Sequence, residues 1–380
     1  MVWIKKNVHL IDKLSILSND SQYDLACACG QSQVDRRHRS VDNKWIYPVA
    51  ISHMRERTYL FKTLLSNKCE NDCKYCPLRS KQNIKRCSMS PEEIVNIFLS
   101  YYRAKRVMGL FLSSGVISSP DTTMALINKT AAILRQKGFK GYVHLKIIPG
   151  ASNAAIEESL SLASAVSLNV ETVGEKRFRK ICSSKNYETD IVRPIKFIGE
   201  KTARGTSFSN VKKTTQFIIG ASDETDREII KCMWGLYKRV GLNRVYFSAY
   251  QRGLGEPDLP GEIASYSNDA LLTREHRLYQ VDWLIRQYHF QIDEIPFEAD
   301  GNISLTMDPK EAWAIKHPEF FPINVNKADK EALLRVPGIG TVTVNKIMSY
   351  RKNNTSLKSV GDLLSPGKQM EKVSQYIIFS

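Results

Sequence analysis

The feature that most constrains this chain is a rhythm that begins at Tyr59. Short apolar runs rich in β-forming residues alternate with amphipathic helical stretches. The expected strands are Tyr59–Leu65, Leu110–Ser113, Tyr142–Ile148, Val166–Glu171, Thr215–Ile219 and Val245–Tyr250. The helices between them have readable starts. Ser90-Pro-Glu-Glu93 is a capping-box signature with proline in the first turn, and it predicts a helix running to about Val107. Ser119-Pro-Asp121 opens a helix that ends before Gly138, and Ser152 opens a third. Ser222-Asp-Glu224 opens a fourth that ends near Gly241, and Thr273–His289 follows the last strand. Six such units predict an α/β fold with a parallel sheet and helices outside it. Their spacing suits a partial (β/α)6 barrel better than a doubly wound open sheet, so a site is expected at the C-terminal ends of the strands.

The rest of the chain divides around that core. Residues 1–58 form a lead-in with a short helix near Ile11–Ser18 and a basic run, Asp35-Arg-Arg-His-Arg39. Residues 59–295 are the core, 296–322 a linker punctuated by Pro296, Pro309 and Pro318, and 323–380 a small all-α unit. The polar segments 186–211 and 252–268 read as long loops at strand ends. With 42% hydrophobic and 25% charged residues among 380, the chain has the composition of a soluble globular protein. No apolar run reaches the roughly 18 residues of a membrane span. The N-terminus lacks the apolar stretch of a signal peptide, so a cytoplasmic location without membrane contact is expected. The net charge of +16 points to a polyanionic partner, because neutralised phosphates release counterions.

Of eight cysteines, three are clustered: Cys69, Cys73 and Cys76, in the spacing C-x3-C-x2-C, just after the first expected strand. A chain of this size needs no disulfide framework, so the cluster points to metal or redox chemistry. Three thiolates can hold a [4Fe–4S] cluster and leave one iron open. The alternative is a zinc knuckle with Cys87 or a histidine as fourth ligand. Cys27 and Cys29 could hold a second metal. Asn169 and Glu171 share one face of the fourth strand's end, as His144 and Lys146 share one face of the third. Cys182 follows the fourth unit.

The tail is as informative. Ile323-Asn-Val-Asn326 precedes an expected helix over Ala328–Leu334, a tight turn Val336-Pro-Gly-Ile-Gly340, and a second helix over Thr341–Arg351. Glycines there let backbone amides face outward at a helix N-terminus, which is a phosphate site. Residues 322–380 carry seven Lys and two Arg against two Asp and two Glu. Gly338, Ile339, Gly340, Thr341, Lys346 and Arg351 are therefore the candidate nucleic-acid contacts. Leu357–Tyr376 reads as a degenerate second hairpin packed on the first.

The triplet, with Tyr75 before its last cysteine, resembles the signature of the radical S-adenosylmethionine (SAM) superfamily, and the tail resembles a helix-hairpin-helix module. Together with Gly109-Leu-Phe-Leu-Ser-Ser-Gly-Val-Ile117, His144-Leu-Lys-Ile-Ile-Pro-Gly-Ala151, Arg274-Glu-His276, Asp308-Pro-Lys-Glu-Ala-Trp-Ala314 and His317-Pro-Glu-Phe-Phe-Pro322, nearly the whole chain resembles radical SAM proteins of DNA modification or repair. The resemblance implies a [4Fe–4S] cluster on Cys69, Cys73 and Cys76, and SAM chelated at its open iron. Reductive SAM cleavage then yields a 5′-deoxyadenosyl radical that abstracts hydrogen from substrate. It implies cofactor contacts at Tyr75, at the Ser113-Ser114-Gly115 turn (which departs from the commoner double-glycine form), at Glu171 and at Gly220. His144 and Cys182 are candidate substrate-side residues, and Arg274, Glu275 and His276 further ones. DNA is the expected partner, with an electron donor such as ferredoxin or flavodoxin and a possible partner protein. RNA modification remains an alternative, as does a DNA-binding protein whose cluster is structural or redox-sensing.

Overall fold

The first parallel strand of the core, β2 (Thr58–Leu64), sets the faces of the sheet. Alternation puts Phe61 on the side where it meets Phe98 edge-on, and Lys62 on the opposite side. Phe98 belongs to a helix, so the Phe61 side is the helix-covered one. In this computed structural model, residues 9–24, 45–49 and 58–380 are described. The elements run α1 (Leu10–Asp20), β1 (Ile46–Val49), β2, α2 (Pro91–Arg103), β3 (Gly109–Ser113), α3 (Pro120–Gln136), β4 (Tyr142–Lys146), α4 (Asn153–Leu162) and β5 (Ala165–Ser167). They continue with α5 (Glu175–Ile181), α6 (Arg193–Lys201), β6 (Lys212–Ile219), α7 (Asp226–Gly235), β7 (Arg244–Ala249), the single turn α8 (Pro260–Ile263) and α9 (Asn268–Gln287).

The seven strands pair in chain order, β1 antiparallel to β2 and β2 to β7 all parallel. The sheet is the curled half-barrel expected from the βα rhythm, with one strand more. That strand, β1, falls in what the sequence presents as lead-in. It is four residues long and contains Pro48, which only an edge strand tolerates. A second difference is α6. Residues 186–211 read as a loop, yet they hold a nine-residue helix entered through a π turn at Glu188–Val192. No side-chain cap announces it, and Val192 occupies its N-cap. The capping box at Ser90 is present as expected, with Ser90 Oγ accepting from the Glu93 amide and Glu93 reaching back to the Ser90 amide. α7 begins a turn later than Ser222 suggests, where Thr225 donates its amide to Glu228 at 2.9 Å.

The chain folds as two compact units, one of residues 1–224 and 232–275, the other of 225–231 and 276–380. The second unit contains α10 (Pro309–Lys316), β8 (Ile323–Asn324), α11 (Lys330–Arg335), α12 (Thr341–Lys352), α13 (Lys368–Ser374) and β9 (Ile377–Ile378). Its tail has its own core, in which Val325, Leu333, Val336, Val344, Ile347 and Val373 are fully buried. The parallel pair of β8 and β9 ties the start of this tail to its end. Where a second hairpin is expected, a short turn at Val360–Asp362 leads into α13. No described helix is long and apolar enough to cross a membrane. Cys27, Cys29 and the basic run at 35–39 lie outside the described residues.

Candidate functional site

The triplet lies in the loop that leaves β2 at its C-terminal end. Three sets of contacts fix that loop. Gly115, at the end of β3, lies so close beneath it that a Cβ there would stand 2.2 Å from the Lys68 carbonyl oxygen and 3.2 Å from Cys69 Cβ. Its amide donates to Ser66 at 2.7 Å. On the other side, Asp72 accepts hydrogen bonds from the amides of Ser183 and Ser184 at 3.1 and 2.9 Å, and from the Cys182 thiol at 3.4 Å. These contacts hold the Asp72 carboxyl below the usual carboxylate range, although burial opposes them. Arg79 donates to the carbonyls of Cys76 and Leu254 and pairs with Glu256 at 2.5 Å. The long segment after β7, expected as a loop over the site, therefore reaches the cysteine loop after β2.

Cys69, Cys73 and Cys76 are all free thiols. Cys73 is buried, and its Sγ lies 3.6 Å from that of Cys182. The hydrogen bond from Cys182 is the main reason the Cys73 thiol is lowered to about 6, against the opposing effect of burial. Burial raises the thiols of Cys69 and Cys76. Cys87 belongs elsewhere. Its thiol faces the Lys13 carbonyl of α1 at 3.9 Å and its amide is held by Asn67.

Among the described residues, no three His, Cys, Asp or Glu side chains converge on one metal ion. Three thiolates can hold a [4Fe–4S] cluster and leave one iron open. The donor set suits such a cluster: three soft thiols on one fixed loop, beside a buried carboxylate oxygen that has no partner.

That oxygen is Oε2 of Glu171. Glu171 pairs with Phe217 as a single bridge beyond β5 and has φ of +64°, a region that non-glycine residues rarely enter. Strain of this kind persists where surrounding structure enforces it. Here the Glu171 amide donates to Gln216 and its carbonyl accepts from Ile218. Burial raises the Glu171 carboxyl, and Lys185, Lys146 and the Tyr75 hydroxyl oppose that. Glu171 in turn reinforces the effect of burial in pushing the Tyr75 phenol up. The Asn169 side-chain oxygen is likewise buried without a partner. Lys185 is the residue that sequence reasoning misses. Burial works against its charge, but Cys73, Cys182 and Glu171 around it hold its ammonium above the ordinary lysine range. A lysine in a polar loop carries no spacing signal that would mark it.

The face of the sheet opposite the helices carries polar side chains among apolar ones. Lys62, Phe111 and His144 stand in register across β2, β3 and β4. His144 lies against the Phe111 ring at 4.6 Å between centroids, with Tyr142 Oη 3.2 Å from Nδ1 and Ser167 Oγ 2.9 Å from Nε2. Ser113 and Ser114 end β3, and Ser114 Oγ donates to the Gly115 carbonyl at 2.7 Å. Gly220, with φ of +83°, ends β6 under Leu271, whose Cδ2 would lie 2.4 Å from an added Cβ. The absent side chains of Gly115 and Gly220 thus make room for protein atoms. Arg274 donates to the Glu224 carbonyl at 2.7 Å, and Glu275 accepts from the Ala249 amide at 2.6 Å, so both hold strand ends.

The sequence pattern of the radical SAM superfamily matches residues 63–233. The chain carries a radical SAM domain. The domain is that of enzymes which use a [4Fe–4S] cluster and SAM, and the cysteine loop lies inside it. A helix-hairpin-helix motif matches residues 320–367. No curated protein matches the chain. Solved structures similar to this chain include methylornithine synthase (PylB), at 15% identity and a TM-score of 0.43, covering 58% of this chain and 61% of that one. Another is the FeFe-hydrogenase maturase HydG from Carboxydothermus hydrogenoformans, at 14% identity and a TM-score of 0.47, covering 83% and 76%. A third is anSMEcpe with bound AdoMet, at 12% identity and a TM-score of 0.41, covering 60% and 62%.

In the tail, Gly338 has φ of +84°, and a Cβ on it would meet Val373 at 2.7 Å. Gly340 is the N-cap of α12, with no side chain to occupy the amides of the first turn, where Thr341 follows. Two basic side chains expected on phosphate are engaged within the module. Arg351 donates to the carbonyls of Ala328 and Val325, and Lys346 to those of Asp362 and Leu363, at 2.7 and 3.1 Å.

Proposed function

We propose that this radical SAM enzyme modifies or repairs DNA, held by its backbone on the helix-hairpin-helix tail. The observation that carries the nucleic-acid half is the Val336–Gly340 turn leading into the uncapped start of α12. Helix dipole and outward amides there favour a phosphate and read no sequence. The surplus of positive charge over the tail and over the whole chain supports the same partner.

When bound, the cluster and SAM supply one-electron reductive cleavage and a carbon radical able to take a substrate hydrogen. The residues of this chain divide the remaining work. Cys69, Cys73 and Cys76 hold the cluster, fixed by Gly115 beneath and Asp72 beside. The unpartnered oxygens of Glu171 and Asn169 accept from the donor groups of SAM, and Tyr75 keeps the Glu171 carboxylate oriented. Lys185 balances the negative charge that thiolates and carboxylate gather in one place. His144, braced by Tyr142 and Ser167, faces the substrate from the side of the sheet opposite the helices. A base in duplex DNA must leave its stack to reach such a site, which favours damaged or single-stranded positions. Reduction requires an external donor such as ferredoxin or flavodoxin.

The test adds duplex DNA, single-stranded DNA or RNA to the reduced, SAM-loaded enzyme and follows 5′-deoxyadenosine. DNA should raise the yield and RNA of matched length should not. A rise with RNA alone would move the substrate to RNA. No rise with either, alongside strong DNA binding, would favour a sensor.

A further inference from the structure

The stretch Asp308-Pro-Lys-Glu-Ala-Trp-Ala314 belongs to the sequence resemblance, yet the radical chemistry gives it no role. In the C-terminal unit it forms the first turns of α10. Asp308 caps that helix, its carboxylate accepting from the amides of Lys310 and Glu311 at 2.9 and 3.3 Å. The Lys310 side chain enters the interior and is only 7% exposed. Its Nζ donates to the carbonyl of Ile339 at 2.5 Å and stands 4.7 Å from the centre of the Tyr288 ring. Ile339 is the middle of the hairpin turn. The preceding carbonyl, that of Gly338, accepts from Gln369 of α13 at 2.7 Å.

Two consecutive carbonyls of the turn are therefore held from within the unit. In a trans peptide the C=O and the N–H point in opposite directions. Drawing the Ile339 carbonyl inward aims the Gly340 amide outward, at the start of α12. The Ile339 amide is already used inside the turn, donating to Val336 at 3.0 Å, so the Gly340 peptide is the one this contact orients.

We propose that Lys310 is a positioning residue for phosphate binding: it fixes the Ile339–Gly340 peptide with its amide toward the DNA backbone and places a buried positive charge behind it. This inference rests on the DNA reading above.

The groups facing Lys310 are Asp308 on its own helix, Lys372 on α13, and the Tyr288 ring just past α9. Lys372 forms an ion pair with Glu311. Burial lowers Lys310 to about 7; Lys372 adds to that and Asp308 opposes it. The charge is thus present below neutral pH and lost above it. An anion bound at the hairpin is favoured by the protonated form, so DNA affinity should be highest on the acid side.

The experiment uses the full chain and fluorescence anisotropy of a labelled duplex of about 20 base pairs, at constant ionic strength across about pH 6 to pH 8.5. Wild type should weaken about fivefold over that range, and Lys310→Met should be about fivefold weaker at the acid end and flat with pH. The slope of log affinity against log salt should not change in Lys310→Met, because Lys310 itself reaches no phosphate. Gln369→Ala should weaken binding yet keep the pH profile of wild type. Lys310→Met with the affinity and pH profile of wild type would overturn the inference. If that variant fails to fold by circular dichroism, the wild-type profile and Gln369→Ala decide, and a flat wild-type profile overturns it. Absence of DNA binding by wild type at every pH would overturn the DNA reading and take this inference with it.

Discussion

Gly115 shows how closely the end of β3 is fitted to the cysteine loop. The sequence marks this glycine as part of a small-residue turn, but the atom it makes room for is the Lys68 carbonyl. Gly115→Ala should therefore act on the cluster loop first. We expect a loss of about 2–3 kcal/mol in stability and a clear fall in iron and sulphide bound after reconstitution, measured per chain. Glu171 was legible as a polar residue on a strand end, because alternation alone puts it opposite Leu168 and Val170. Its positive φ and its orphaned oxygen were not, since both depend on the neighbouring strand β6. Glu171→Gln keeps the shape and removes the charge. It should retain the cluster while weakening SAM binding about tenfold, read by equilibrium dialysis of labelled SAM. Lys185 and Asp72 were not legible at all. Each acquires its role from contact with a segment about 110 residues away in the chain, and no local pattern encodes that.

At the scale of elements, the helix starts placed best from sequence are the ones with side-chain caps, whereas α9, read from Thr273, begins at Asn268. α2 and α3 start at Ser90 and Ser119, whose hydroxyls accept from first-turn amides. Ser90→Ala should cost about 1 kcal/mol and lower the thermal midpoint by a few degrees, seen by calorimetry. α6 gives no such signal. It is entered through a π turn and begins at Arg193-Pro194, so its polar flanks read as a loop. β1 is hidden for a different reason: it is short, carries proline, and owes its existence to pairing with the edge of β2. The strands β2 to β7 are legible because each is a short run rich in apolar and β-forming residues bounded by turn signals. In the tail, the Pro-Gly-Ile-Gly turn was legible from glycine chemistry. Lys346 and Arg351 were read by charge alone, and both donate to carbonyls of their own module.

The whole molecule joins a radical SAM domain to a helix-hairpin-helix motif in a chain of charge +16. If backbone contact dominates its affinity, log affinity for duplex DNA should fall linearly with log salt, with a slope of about −0.9 for each phosphate neutralised. Changing the DNA sequence should barely move that line. The chemistry is the more direct test. The protein is reconstituted anaerobically with iron and sulphide, reduced with dithionite and given SAM, and 5′-deoxyadenosine is measured by chromatography. The wild-type chain should release it and Cys73→Ala should not; a wild-type chain that holds a full cluster and yet leaves SAM intact, with or without DNA, would contradict the account.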